Sequence, residues 1–141
     1  IDVDEFKQGN DTYGHDVGDL VLRHVSASIK DALRSQDVIA RMGGDEFIAI
    51  CPDTGLTQAM VCAERARHVV EAVTIRTGML QLRVSVSIGV AELASEMVGS
   101  DALVKAADQG LYLAKQRGRN RVAAVQAGPH GVVRNGSTGQ G

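Results

Sequence analysis

Residues 37–51 read DVIARMGGDEFIAIC. Apolar side chains fill both flanks, and Gly43-Gly44-Asp45 interrupts them. Two β-prone runs around a glycine turn predict a hairpin, with strands over Asp37 to Met42 and Glu46 to Cys51. Pro52-Asp53-Thr54-Gly55 then closes the second strand as a turn.

Working outward, Ile1 to Asp4 reads as the end of a buried strand, and Lys7 to Gly14 as an irregular Gly- and Asn-containing stretch. Leu22, Val25, Ile29 and Ala32/Leu33 recur at helical spacing, with Arg23, His24, Ser26 and Lys30 on the other face. A second helix is predicted from about Thr57 to Val73, its apolar side being Met60, Ala63, Ala66, Val70 and Val73. Leu82, Val84, Val86, Ile88 and Val90 alternate with Arg83, Ser85, Ser87 and Gly89, which predicts one continuous strand. Ser100 or Asp101 caps a third helix that reaches about Arg117 and ends at Gly118. Arg121 to Val125 reads as a last strand. The order β–α–β–β–α–β–α–β predicts a two-layer α+β or α/β sandwich with a mixed sheet. Residues 1–125 are expected to form one domain. In residues 126–141, six of sixteen are Gly or Pro, and this stretch is expected to be a disordered tail.

The 141 residues suffice for one core, and with 3% aromatics that core must be aliphatic. A net charge of -2 argues against duplex DNA or an anionic membrane as partner, but not against a small phosphate ligand. Cys51 and Cys62 are too few and wrongly spaced for a zinc site, and read as free thiols in a reducing cytoplasm. No signal peptide or membrane-length apolar run is present. The chain opens on a strand without an initiator Met, as expected of a domain from a longer protein.

Three clusters carry chemistry. Gly43-Gly44-Asp45-Glu46 places two carboxylates on a turn that a ligand can approach, and hard oxygens suit Mg²⁺. Asp2-Val3-Asp4 brings carboxylates to a strand end, where Asp2 can meet Asp45 and the Val3 carbonyl can add a third oxygen. Lys115 and Arg119, with Arg117 and Arg121 nearby, can clamp phosphate oxygens at a helix end. Each has a plainer reading: a polar hairpin tip, strand-end caps, and cations that complement a helix dipole.

The whole pattern decides. IDVDEFK (1–7), Asn10-Asp11, YGHDVGD (13–19), RMGGDEF (41–47), VSIGVA (86–91) and LYLAKQRGRNRV (111–122) follow one another in order. Together they resemble the GGDEF family of diguanylate cyclases, over about residues 1–125. The resemblance implies an α+β fold with a mixed central sheet flanked by helices, of the nucleotidyl-cyclase and polymerase-palm type with a ferredoxin-like core. It implies condensation of two GTP into cyclic di-GMP, with Mg²⁺ (or Mn²⁺) as cofactor. Asp2, the Val3 carbonyl, Asp45 and Glu46 would hold the metal. Asp45 would be the base, and Glu46 would support a second metal or orient the ligands of the first.

The resemblance also assigns guanine recognition to Asn10 and Asp19, with His15 at a further substrate position. Phe6 and Lys7 would cradle the terminal phosphates through backbone N–H groups, Gly43 and Gly44 would admit the substrate, and Lys115 and Arg119 would hold its phosphates. Arg34 and Asp37 match an RxxD inhibitory motif that binds the cyclic di-GMP product. The implied assembly is a homodimer facing two GTP sites, controlled by an upstream sensor domain. The implied location is the cytoplasm, free or as the cytoplasmic part of a membrane-anchored sensor. Two departures stand out: the helix and DxLTGLxNR-like segment that usually precede the first strand are missing, and Gly9 replaces an apolar residue. The alternatives are a catalytically silent module that binds GTP or cyclic di-GMP, and a structural dimerisation domain. No EAL-type phosphodiesterase motif accompanies the pattern.

Overall fold

The computed structural model describes residues 1–127 and 133–135. Its elements are β1 (Asp2–Val3), α1 (Phe6–Tyr13), α2 (His15–Ala32), β2 (Val38–Gly43), β3 (Glu46–Ile50), α3 (Leu56–Ala72), β4 (Ile75–Thr77), β5 (Leu80–Leu82), β6 (Val86–Val90), α4 (Gly99–Gln116), β7 (Val122–Ala127) and β8 (Val133–Asn135). Six strands form one mixed sheet in the order β2-β3-β1-β6-β7-β8, and β4 and β5 form a separate hairpin. The short β1 sits in the middle, antiparallel to β3 and β6, while β6 and β7 run parallel.

Side-chain alternation sends each face of the sheet to a different helix layer. Val3, Phe47, Val86, Ile88 and Val90 join Val21, Leu22, Val25, Ile29 and Ala32 of α2 and Ala66 and Val70 of α3 in the main core. Ser87 and Gly89 occupy the opposite face of β6 in the alternation. There α4 lies so close that a Cβ on Gly89 would stand 2.0 Å from the Ala107 carbonyl oxygen. The expected two layers are therefore three. The missing side chain at Gly89 is what lets α4 settle on the sheet.

Helix ends are tied by side chains from distant elements. The Arg65 guanidinium donates to the Ala32 carbonyl at 3.0 and 2.7 Å, satisfying an orphan acceptor at the α2 C-terminus. The Glu92 carboxylate accepts from the Leu56 amide at 3.0 Å, at the start of α3. No helix of the described residues is long and apolar enough to cross a membrane.

Four readings of the sequence are corrected. Residues 6–13 are helical rather than irregular. Phe6 packs against the core, and that contact outweighs the poor helix propensities of Gly9 and Asn10. The alternating run at 82–90 is broken. Leu82 pairs with Ile75 in the β4–β5 hairpin, whose turn holds Gly78 at φ 57°, and the run joins the main sheet only from Val86. The last long helix starts at Gly99 behind Val98, with no side-chain cap from Ser100 or Asp101. Within the expected tail, β7 continues to Ala127 and β8 pairs antiparallel with it, while 128–132 and 136–141 lie outside the described residues.

Candidate active site

The predicted hairpin forms, and β1 anchors its turn. Gly43 (φ 143°) and Gly44 (φ 53°) take backbone angles that favour glycine. The Arg41 Nε donates to the Gly44 carbonyl at 2.9 Å, and the Val3 amide donates to the Asp45 carbonyl at 3.2 Å. Asp2 lies opposite Glu46 in register. The turn therefore delivers Asp45 to the start of β1, beside Asp2.

Asp2 is 7% exposed and accepts a charge-assisted hydrogen bond from the Lys115 ammonium through Oδ2. Its other oxygen, Oδ1, is buried with no partner. Burial pushes the Asp45 carboxyl up to about 6, and the proximity and charge of the neighbouring Asp2 carboxyl add to the shift. Two converging carboxylates with an orphaned buried oxygen fit a divalent cation, which prefers hard oxygen ligands. Among the described residues no three His, Cys, Asp or Glu side chains gather as a metal cluster. A cation here would rest on Asp2, Asp45 and backbone oxygen. Glu46 is exposed at the base of the same turn.

The two acids of the Asp2-Val3-Asp4 stretch do different work. Asp4 has donors on both oxygens: the Ser87 hydroxyl at 2.6 Å on Oδ1, and the Ser85 hydroxyl at 2.7 Å and the Asn120 amide at 3.0 Å on Oδ2. It is satisfied by protein alone, whereas Asp2 is not. Nothing in the alternation of this short stretch distinguishes them. The difference arises from Ser85 and Ser87 of the neighbouring strand segment.

An open cleft of about 700 Å³ is bounded by Val3 and Asp4, while Asp2, Asp45, Glu46 and Lys115 do not line it. Its lining includes Phe6, Asn10, Gly18, Arg119 and Asn120. At its rim α1 begins at Phe6 behind Glu5 (φ 55°), with no side chain capping its first amides. Free amides at a helix start favour an anion. The Asn10 amide oxygen is buried without a partner, and it points at Gly18, where a Cβ would stand 1.8 Å away. Gly18 carries its own signal in the sequence, since a glycine inside a strong helix is a sign of close approach. Lys7, His15 and Asp19 are exposed on the first turns of α1 and α2 and are not part of that lining.

Arg34 and Asp37 form a separate group beyond α2. The Arg34 guanidinium donates to both Asp37 oxygens at 3.3 and 3.2 Å, to the Pro52 carbonyl at 3.3 Å and to the Thr54 hydroxyl. These bonds hold the Asp37 carboxyl below the usual carboxylate range.

Comparison with known proteins agrees with this geometry. The family described as "Diguanylate cyclase, GGDEF domain" matches residues 1–121. The response regulator PleD of Caulobacter vibrioides is 45% identical over 129 residues, covering 90% of this chain and 28% of PleD. Diguanylate cyclase A of Treponema denticola is 44% identical over 122 residues, covering 86% of this chain and 33% of its own length. The chain thus spans about a third or less of these two relatives. The solved GGDEF domain of DgcB from Caulobacter crescentus, in complex with c-di-GMP, superposes with a TM-score of 0.81 at 34% identity, covering 86% of this chain and 72% of that one. The diguanylate cyclase SiaD of Pseudomonas aeruginosa, in complex with its activator SiaC, gives 0.79 at 39% identity, covering 85% and 46%.

Proposed function

The chain belongs to the GGDEF family of diguanylate cyclases, and on that premise we propose that it condenses two GTP into cyclic di-GMP with release of two pyrophosphates. The observation that carries this reading is the convergence of Asp45 on Asp2, whose buried Oδ1 has no partner. In each of two equivalent steps, the 3′-hydroxyl of one GTP attacks the α-phosphorus of the other. A P–O bond forms, the bond to the bridging α–β oxygen breaks, and pyrophosphate departs with the electron pair.

Mg²⁺ (or Mn²⁺) bound at Asp2, Asp45 and the Val3 carbonyl, with Glu46 orienting these ligands or supporting a second ion, would neutralise phosphate charge and acidify the attacking hydroxyl. The chain's own groups supply the rest. Asp45 takes the hydroxyl proton. Asn10 and Asp19 read the guanine edge, and an Asp carboxylate accepts from two adjacent guanine donors that adenine lacks. His15 would take a further substrate position. The amides of Phe6 and Lys7, with Lys115 and Arg119, hold the terminal phosphates, and Gly43 and Gly44 leave room for the substrate.

One domain holds one GTP, so bond formation needs two domains face to face. A two-fold homodimer matches the two-fold product. An upstream sensor would set that equilibrium, and Arg34 with Asp37 would bind cyclic di-GMP as inhibitor. The test is incubation with GTP and Mg²⁺ followed by nucleotide chromatography. Cyclic di-GMP should form with a steeper than linear dependence on protein concentration, Asp45→Ala should abolish it without unfolding, and Arg34→Ala should relieve inhibition by added product. Normal synthesis by Asp45→Ala would remove the catalytic assignment.

A further inference from the structure

Arg119 (φ 62°) and Asn120 (φ 46°) are consecutive non-glycine residues in the left-handed region. Asparagine tolerates that conformation, whereas arginine adopts it where the surroundings impose it. Here the constraints come from three directions. The Arg119 amide donates to the Ala114 carbonyl at 3.0 Å, fixing the turn to the end of α4. The Asn120 amide donates to Asp4 Oδ2 at 3.0 Å. The Asn120 side chain accepts from Arg67 at 2.9 Å and donates to Glu71 at 3.2 Å, tying the turn to α3. Asp4 is itself held by Ser85 and Ser87 at 2.7 and 2.6 Å.

We propose that Asp4 is a positioning residue for Arg119, and that Asn120 completes the device from the α3 side. The carboxylate fixes the backbone of the turn, and the turn aims the Arg119 guanidinium over the cleft. Arg119 lines that cleft and is exposed, and among the described residues its guanidinium donates to no protein acceptor. With no partner in the protein, the Arg119 side chain has only its backbone to fix where it starts over the cleft. A rigid turn limits the backbone freedom lost when an anion arrives. This rests on the reading above that Arg119 grips the triphosphate.

The test measures binding rather than turnover, using 3′-deoxy-GTP, which lacks the attacking hydroxyl. The chain, its Asp4→Asn, Asn120→Gly and Arg119→Ala variants and the Asp4→Asn/Arg119→Ala double variant are titrated calorimetrically, with thermal melts in parallel. Asn120→Gly keeps the amide bond to Asp4 and tolerates φ 46°, so it folds even if Asp4→Asn does not. Arg119→Ala should weaken binding about tenfold, as expected for loss of a charge-assisted contact to phosphate. Asp4→Asn and Asn120→Gly should each weaken it several-fold, and the double variant should be no weaker than Arg119→Ala alone. Additive losses in the double variant, or full affinity in both Asp4→Asn and Asn120→Gly, would overturn the positioning role and leave the nucleotide site standing. No binding by the unmodified chain would overturn both readings.

Discussion

Lys115, in the last turn of α4, reaches Asp2 of β1 across 113 positions of sequence. The ammonium offsets one of two carboxylates that would otherwise crowd the same small volume. Lys115→Met leaves Asp2 buried without that partner. The pair is partly open to water on its lysine side, whose side chain is 36% exposed while that of Asp2 is buried. The expected loss is therefore about 1–2 kcal/mol, below the roughly 3–5 kcal/mol of a fully buried pair. Urea denaturation measures it, and millimolar Mg²⁺ should recover part of the loss by taking the place of the ammonium.

Gly18→Ala should separate binding from stability. The new methyl meets the end of the Asn10 side chain, which can swing away, while α2 gains a better helix former. Stability should stay within about 1 kcal/mol, and affinity for 3′-deoxy-GTP should fall several-fold as the Asn10 amide is displaced. A large stability loss with affinity intact would make Asn10 a packing residue between α1 and α2.

Gly89→Ala should behave in the opposite way. Its methyl meets backbone of α4, 2.0 Å from the Ala107 carbonyl oxygen and 2.2 Å from the Leu111 nitrogen, so the helix itself must lift. The expected cost is about 3 kcal/mol or more. Gly9→Ala is the control: nothing lies within 4 Å of the added carbon, and the site is inside α1. It should stabilise by about 0.5–1 kcal/mol in the same denaturation series.

Burial pushes the Cys51 thiol up to about 11, and the nearby Asp37 charge adds to the shift. The folded state favours the neutral thiol. That contribution to stability is full below the ordinary thiol range and is lost as pH rises through about 11. Alkylation of Cys51, followed by peptide mass spectrometry, should be slow at pH 8 and rise about tenfold per pH unit above it. Labelling at pH 8 as fast as a free thiol would contradict the burial.

The hairpin at 38–50 and helices α2, α3 and α4 were legible because their signals are local: glycine angles, period-two runs and apolar stripes. Asp2 and Asp45 could be paired in advance because both stood at strand ends. What escaped the sequence depends on partners far along the chain. Residues 6–13 fold as a helix because Phe6 finds the core. Residues 82–90 break because Leu82 is claimed by Ile75. The division of labour between Asp2 and Asp4 is decided by Lys115 on one side and by Ser85, Ser87 and Asn120 on the other.

The central strand β1 is made before either of its sheet partners. On the ribosome, β1 emerges with neither β3 nor β6 to pair with, and Asp2 waits for an ammonium encoded more than a hundred codons downstream. Such long-range pairing is slow to close. A nascent chain halted before α4 therefore has its acidic residues but neither Lys115 nor Arg119, and the two ends of the site meet only once α4 has been made.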